Sequence, residues 1–474
     1  MTVPAVLDIQ DERVAGRPAL RGGWWATALA VGGWAVVVLV AWRVASPHGF
    51  AWKIPAPPLT GSFDRNLTFA TALVLVLGVG LARTLPGWCA RVPWRRLLVG
   101  VALASLLWGV ALAATRGPSG LTRGPSNRHE YPAVVDQVDR IGVSQFVATF
   151  THESALRTYP IHVQGHPLGA ALFFVGLDRI GLGGGVGAAF AILAIAATAL
   201  PAVLITVREV AGQDAARRAA PFLALMPGMV WWVTSADALF AAVAAWAIAL
   251  LVLATAEEAP GRRRAQLAFA SGLVWGIGIH LTYGLPPLVL VALAVVGARR
   301  RWSLLAWAAL GGALVVAAFT LSGFWWLDGL SATKVRYVAG IASQRPYGYF
   351  TFLGNPAAFG LVVGPAAWVA LARVRDRSLL LLALPALVAV ALADASGLSK
   401  AEVERIWLPF APWLLVLTAG LVDRPLDLPA PGPTDRSARR RTWLVPGWPA
   451  LAGALLIGQV VLAVAVESLV KTPW

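Results

Sequence analysis

The chain has 474 residues, of which 58% are hydrophobic and 13% charged, against about 25% charged in ordinary soluble domains; with a mean hydropathy of +0.70, this excludes a soluble globular protein. The formal net charge of +16 does not point to nucleic acid, because the arginines fall in short clusters between apolar runs, as in cytoplasmic membrane loops. A single cysteine, Cys89, excludes an intramolecular disulfide and a cysteine-rich metal site.

Residues 1–23 mix Asp8, Asp11 and Glu12 with Arg13, Arg17 and Arg21 and lack the apolar core of a signal peptide, so they are expected to form a cytoplasmic tail. Spanning a bilayer takes about 20 apolar residues. The first such runs are 24–42, 67–82 and 97–114, with Arg83, Arg91, Arg95 and Arg96 holding the turn before the third in the cytoplasm. The polar stretch 115–165 follows, ending in Gly165-His166-Pro167-Leu168-Gly169. The apolar run 167–180 is too short to cross and reads as an interfacial helix. With that choice, 186–207 returns inward, and the arginine clusters at 262–264, 299–301, 373–377 and 436–441 all fall inside. Further spans are expected at 221–233, 239–254, 266–281, 285–297, 302–322, 356–372, 379–393, 409–421 and 444–466.

The expected fold is therefore all-α and polytopic: one multi-pass domain over 24–466 with about thirteen spans, an interfacial helix, and a short outer tail, 467–474. The N-terminus is cytoplasmic, and polarity collects in outer loops at 115–185, 323–355 and 394–408. Chemistry is expected at the outer face of a plasma membrane.

Three constellations could carry it. Arg128-His129-Glu130-Tyr131 offers a carboxylate beside a histidine, the group type of a general base; the bland alternative is a carboxylate paired with Arg123, Arg128 or Arg140. His162 and His166 flank the start of the short apolar helix, where backbone amides favour an anion such as phosphate. Together with His152 they make an irregular set for a metal. Glu402-Val403-Glu404-Arg405 leads into Pro409 and Pro412; an arginine there suits phosphate recognition, or an interfacial anchor paired with Glu402 or Glu404. Polar and aromatic residues of the other outer loops, including Asp237, Tyr283, Arg345 and Tyr349, suit a sugar or lipid-phosphate ligand.

The order of Glu130, His166-Pro167-Leu168, Ser235-Ala236-Asp237 and Arg405 to Pro412 on one membrane side resembles the GT-C superfamily of membrane glycosyltransferases, which includes protein O-mannosyltransferases, the lipid A aminoarabinose transferase and actinobacterial mannosyl- and arabinosyltransferases. The chain departs from the family pattern twice. The family carboxylate usually follows the first helix, where this chain has Asp64, whereas Glu130 follows the third; and Leu168 stands where the family has a second proline. The resemblance implies transfer of a sugar, of mannose or arabinose type, from a polyprenyl-phosphate donor to a hydroxyl on a glycan or lipid-linked acceptor, with inversion. It implies Glu130 or Asp64 as base, His162, His166 and Arg405 at the donor phosphate, and His129, Asp237, Tyr283, Arg345 and Tyr349 around the substrates. No cofactor is required; some relatives use a divalent cation, but no ligand set here demands one. A secondary transporter or lipid flippase is the alternative, against which stands the scarcity of charges within the spans; a non-catalytic membrane subunit is another.

Overall fold

A computed structural model describes residues 23–422 and 448–474. Most of the expected tail, the arginine cluster at 436–441 and the first residues of the last expected span lie outside the described residues. Helices α1 (Trp24–Ala45), α2 (Phe69–Arg91) and α3 (Trp94–Ala114) open the bundle. After the long polar segment come α4 (Leu168–Arg179), α5 (Gly184–Ala196), α6 (Ala199–Ala211) and α7 (Gln213–Ala224). Then follow α8 (Ala236–Ala254), α9 (Gly261–Leu281), α10 (Val289–Ala298), α11 (Leu304–Leu321) and α12 (Trp326–Ala339). Helices α13 (Asn355–Arg373), α14 (Arg377–Ala395) and α15 (Ala450–Leu469) complete it. The described strands are a two-residue ribbon, β1 (Ser62–Phe63) paired antiparallel with β2 (Val470–Lys471).

The protein is a multi-pass membrane protein: nine helical stretches among the described residues are long and apolar enough to cross a bilayer. Of the other four expected spans, 266–281 lies within the continuous helix α9 and 285–297 matches the short helical stretch Pro286–Ala298, while the remaining two are broken. Residues 221–233 divide between the end of α7, a break at 225–228 and the short turn Met229–Trp232. Residues 409–421 wind as the short turns Ala411–Leu415 and Val416–Leu421 behind Pro409 and Pro412. Helix α10 is short, and α9 opens on Arg262, Arg263 and Arg264. At 12 residues, α4 extends about 18 Å, well under a bilayer core.

Helix ends follow local chemistry. The Thr68 hydroxyl accepts from the Thr71 amide at the start of α2, the Asp376 carboxylate accepts from Ser378 and Leu379 at the start of α14, and Ser235 caps α8. Two breaks meet in the interior. Gly364 adopts φ +72 before Pro365 inside α13, and a Cβ there would sit 2.8 Å from the ring of Pro227. The Gly228 amide donates to Val362 O at 2.9 Å, and Gln459 donates to Val363 O at 3.2 Å. Backbone groups freed by two prolines are thus satisfied by neighbouring helices, as a membrane interior requires.

Helices α9 and α11 cross at backbone distance. A Cβ on Gly272 would lie 1.9 Å from Ala308 O, and one on Gly311 would lie 2.2 Å from Phe269 O. Small residues at such crossings let dispersion and weak polar contacts hold helices that lipid alone does not drive together. Gly272→Leu or Gly311→Leu should therefore lower the yield of folded protein and its melting temperature in detergent. Gly80→Leu, where an added Cβ meets nothing within 4 Å, is the control and should leave both near wild type.

Candidate active site

The polar segment between α3 and α4 folds as a chain of turns and short helices that brings Glu130 and His162 together. Glu130 lies just before the turn Tyr131–Val134, and the His162 amide donates to His129 O at 3.0 Å, fastening Ile161–Gln164 to that turn. Glu130 Oε1 sits 2.8 Å from His162 Nδ1. His162 Nε2 lies 3.0 Å from Arg405 Nη2. A guanidinium only donates, so Nε2 must accept and the imidazole proton belongs on Nδ1, facing Glu130. A carboxylate, an imidazole and a guanidinium stand in line.

Arg405 is the hub. Its Nη1 donates to Asp237 Oδ2 at 2.8 Å and its Nη2 to Glu402 Oε2 at 2.8 Å, while its guanidinium lies 4.6 Å from the ring centre of Trp474. Asp237 stands in the first turn of α8, where a negative charge is favoured, and accepts from the Ser235 hydroxyl at 2.6 Å. Burial works against the charge on Arg405, but Asp237, Glu402 and Glu130 outweigh it and hold the guanidinium firmly protonated. Burial likewise opposes ionisation of Glu402; Arg405, with Arg345 behind it, holds that carboxyl below its usual range.

The backbone that presents Glu402 is strained. Ala401 and Glu402 have φ of 72 and 63, a left-handed conformation that costs non-glycine residues of order 1–3 kcal/mol each. Hydrogen bonds secure it: Asn355 Oδ1 accepts from the Ala401 amide at 3.1 Å and Thr60 Oγ1 from the Glu402 amide at 3.0 Å. Arg345 donates to Lys400 O at 2.5 Å and to Trp52 O at 2.9 Å, which also secures the turn.

Burial shifts two further groups at the cluster toward their uncharged forms. His166, whose Nδ1 is 2.8 Å from His162 O and whose ring is 5.3 Å from that of Tyr131, is lowered to about 4, chiefly by burial. It is neutral at physiological pH, and its one N–H is spent on His162 O, so its other ring nitrogen can only accept. The first turn of α4 is also covered: a Cβ on Gly169 would lie 2.5 Å from His280 O, so this helix start is packed against backbone. Glu404, with Oε1 accepting from the Thr60 amide at 2.9 Å and Oε2 without a partner, is raised to about 7, chiefly by burial.

Other sequence candidates lie elsewhere. Asp64 pairs with Arg116 at 2.8 Å; Arg116 also holds Glu467 at 3.1 Å and Val470 O at 2.9 Å, so Asp64 serves the β1–β2 junction. Tyr349 donates to Ala41 O on α1 at 3.0 Å. Tyr283 packs edge-on to Trp326, 5.3 Å between rings, under α12. His129 is partly buried beside Arg128, and burial, with that arginine, lowers its pKa. Among the described residues no group of three or more His, Cys, Asp or Glu could hold a metal ion; in the Arg405 cluster a guanidinium stands where a cation between carboxylates would. Sequence reasoning met Glu402 only as a pairing partner and missed Trp474, Asn355 and Thr60, none of which sits in a recognisable motif.

No family model matches the sequence, and no curated protein matches it. Among solved structures, the chain is similar to the apo crystal structure of ArnT from Cupriavidus metallidurans, at 17% identity and a TM-score of 0.40, over 66% of this chain and 59% of that one. The matched region thus spans about three-fifths of that protein's length.

Two outcomes follow from the cluster's electrostatics. Arg405→Ala leaves buried carboxylates uncompensated, a loss of about 3–5 kcal/mol for such sites, so folded yield and melting temperature should drop sharply, contrary to what a surface arginine would show; Arg405→Lys should recover part of both. The fold keeps the Glu404 proton up to about pH 7, whereas the unfolded chain releases it near 4.5. Its contribution is therefore complete below the unfolded value and lost as pH rises through the folded one. The melting temperature of Glu404→Gln relative to wild type should rise between about pH 5 and pH 8; a pH-independent difference would show Glu404 already ionised.

Proposed function

We propose that the protein is a membrane glycosyltransferase, acting at the outer face of the plasma membrane, that moves a sugar of mannose or arabinose type from a polyprenyl-phosphate donor to a hydroxyl acceptor with inversion. The observation that carries this reading is the Glu130–His162–Arg405 line, a base with an oriented imidazole and a fixed cation in one buried cluster. In the step, the acceptor oxygen bonds to the anomeric carbon as its proton passes to Glu130, and the bond from that carbon to the phosphate oxygen breaks, the electron pair leaving with polyprenyl phosphate. Three carboxylates against one guanidinium make the cluster net negative, which favours the positive charge that develops on the sugar ring in glycosyl transfer.

Arg405 can reach a donor phosphate by exchanging Glu402, whose side chain is 29% exposed, against 4% for Asp237. Arg336 and Arg345 lie near enough to stabilise the displaced carboxylate. A carrier reading gains one observation, the paired breaks at 225–228 and Gly364, a form that transporters use at their binding sites. Here the breaks close on each other through Gly228 and Val362, which favours a structural role for them.

The test uses membranes bearing the full chain and radiolabelled polyprenyl-phosphate sugars, one donor at a time. A positioned base is worth about 10²- to 10⁴-fold, so Glu130→Gln should reduce transfer at least a hundredfold while donor binding survives, and Asp64→Asn should stay within a few-fold of wild type. Loss of transfer in Asp64→Asn but not in Glu130→Gln would move the base; no transfer by wild type from any donor would sink the enzyme reading. Glu402→Gln, which removes the competitor for Arg405, should lower the donor KM, and a raised KM would reject the exchange.

A further inference from the structure

A cavity of about 520 Å³ opens beside the cluster, between α12 and the segment 151–164. Helix α12 contributes Asp328, Ser331 and Arg336, spaced as one helix face, and the opposite wall contributes Glu153, Arg157 and Gln164. The other side of α12 carries Leu327 and Val338, both more than half exposed, so the helix turns one face to apolar surroundings and the other to the cavity.

The lining chemistry selects among ligands. Its two arginines balance two carboxylates in number, but only one pair is direct: Arg157 Nη2 lies 2.5 Å from Glu153 Oε1, whereas Arg336 Nε donates to the amide oxygen of Gln164 at 2.6 Å, leaving Asp328 in the lining. A phosphate oxygen only accepts hydrogen bonds and is repelled by Glu153 and Asp328. A lipid tail would leave these groups unsolvated. A hydroxyl both donates and accepts, so a polyhydroxylated ligand can satisfy carboxylate, amide, hydroxyl and guanidinium together, while Leu156 and Val335 face its C–H surface. The volume lies within the range of small-molecule sites, about 300–1,000 Å³, and suits the end of a glycan. Gln164 belongs to the same short helix as His162, which puts the cavity's inner wall two residues from the Glu130 contact.

We infer that this cavity is the acceptor site and that the acceptor presents a saccharide there. Its role rests on the glycosyltransferase reading; its ligand does not, since binding is measured without turnover. Full-length protein in nanodiscs is examined by saturation-transfer NMR with methyl α-mannoside, methyl α-glucoside and maltose, and separately with inorganic phosphate. At least one saccharide should bind, at least tenfold more weakly to Ser331→Trp, which fills the cavity from an exposed position, and to Asp328→Asn, and equally well to Glu130→Gln. Saccharide binding that is absent in wild type, or unaffected by both cavity variants, overturns the inference, as does phosphate binding that disappears in Arg336→Ala. If binding behaves as expected but Glu130→Gln transfers normally, the saccharide site stands and the catalytic reading fails.

Discussion

A buried guanidinium must find its counter-charges inside the protein, and Arg405 finds one nearby, Glu402 in the strained turn three residues before it, and the others far away in the chain: Asp237 at the start of α8 and the Glu130–His162 pair from the long polar segment. An ion removed from water is stabilised only when geometry and hydrogen bonding are good, and removing one partner is far costlier than the pair is worth. The network therefore acts less as a source of stability than as a specification. It fixes how the polar segment lies over the helix ends, because any other arrangement leaves charge buried without a partner. The tail adds a further tie: Trp474 covers the guanidinium, Asn127 donates to Pro473 O at 3.4 Å, and β2 pairs with β1.

Strain at Ala401 and Glu402 belongs to the same economy. Two consecutive left-handed residues without glycine persist only where surrounding contacts determine them, and those contacts come from α13 through Asn355 and from the loop after α1 through Thr60. Asn355 in turn holds Asp394 at 2.8 Å, so the end of α14 is tied to the same turn. The strained peptide aims one carboxylate at Arg405 while Glu404, two residues on, points to Thr60 instead. The acidities of these neighbouring acids thus shift in opposite directions, since one has a cation and the other only an amide.

Hydrophobic runs made most of the fold legible, because an apolar stretch of spanning length has few other fates in water. The short run at 167–180 appeared as a short helix, with Asp178 and Arg179 closing it as the sequence indicates. Prolines blurred the rest: Pro221, Pro227, Pro409 and Pro412 divide stretches whose composition alone reads as continuous spans. The span expected at 356–372 begins at Tyr347, since the aromatic residues before it continue the helix through a wider turn at Phe350–Gly354. In the site, charged residues in short motifs pointed to Glu130, His162, His166 and Arg405, which do converge. Their partners were less visible. Glu402 owes its position to a backbone conformation that an Ala-Glu pair does not advertise, and the charge state of His166 depends on burial that no local pattern encodes.

The carboxylates of the cluster are not equivalent as proton acceptors. Asp237 spends one oxygen on both Ser235 and Arg405 and is almost fully enclosed. Glu404 is enclosed and raised by burial, so near neutrality it is partly protonated already. Glu402 retains some exposure, but its direct pairing with Arg405 holds it below the usual range, and a weaker base gains less from proton transfer. Glu130 meets an imidazole rather than a guanidinium, and among the described residues nothing bonds its second oxygen. An imidazole sets a weaker opposing charge against that carboxylate than a guanidinium would. The contact with His162 instead of Arg405 is thus what distinguishes Glu130 from the acids around it.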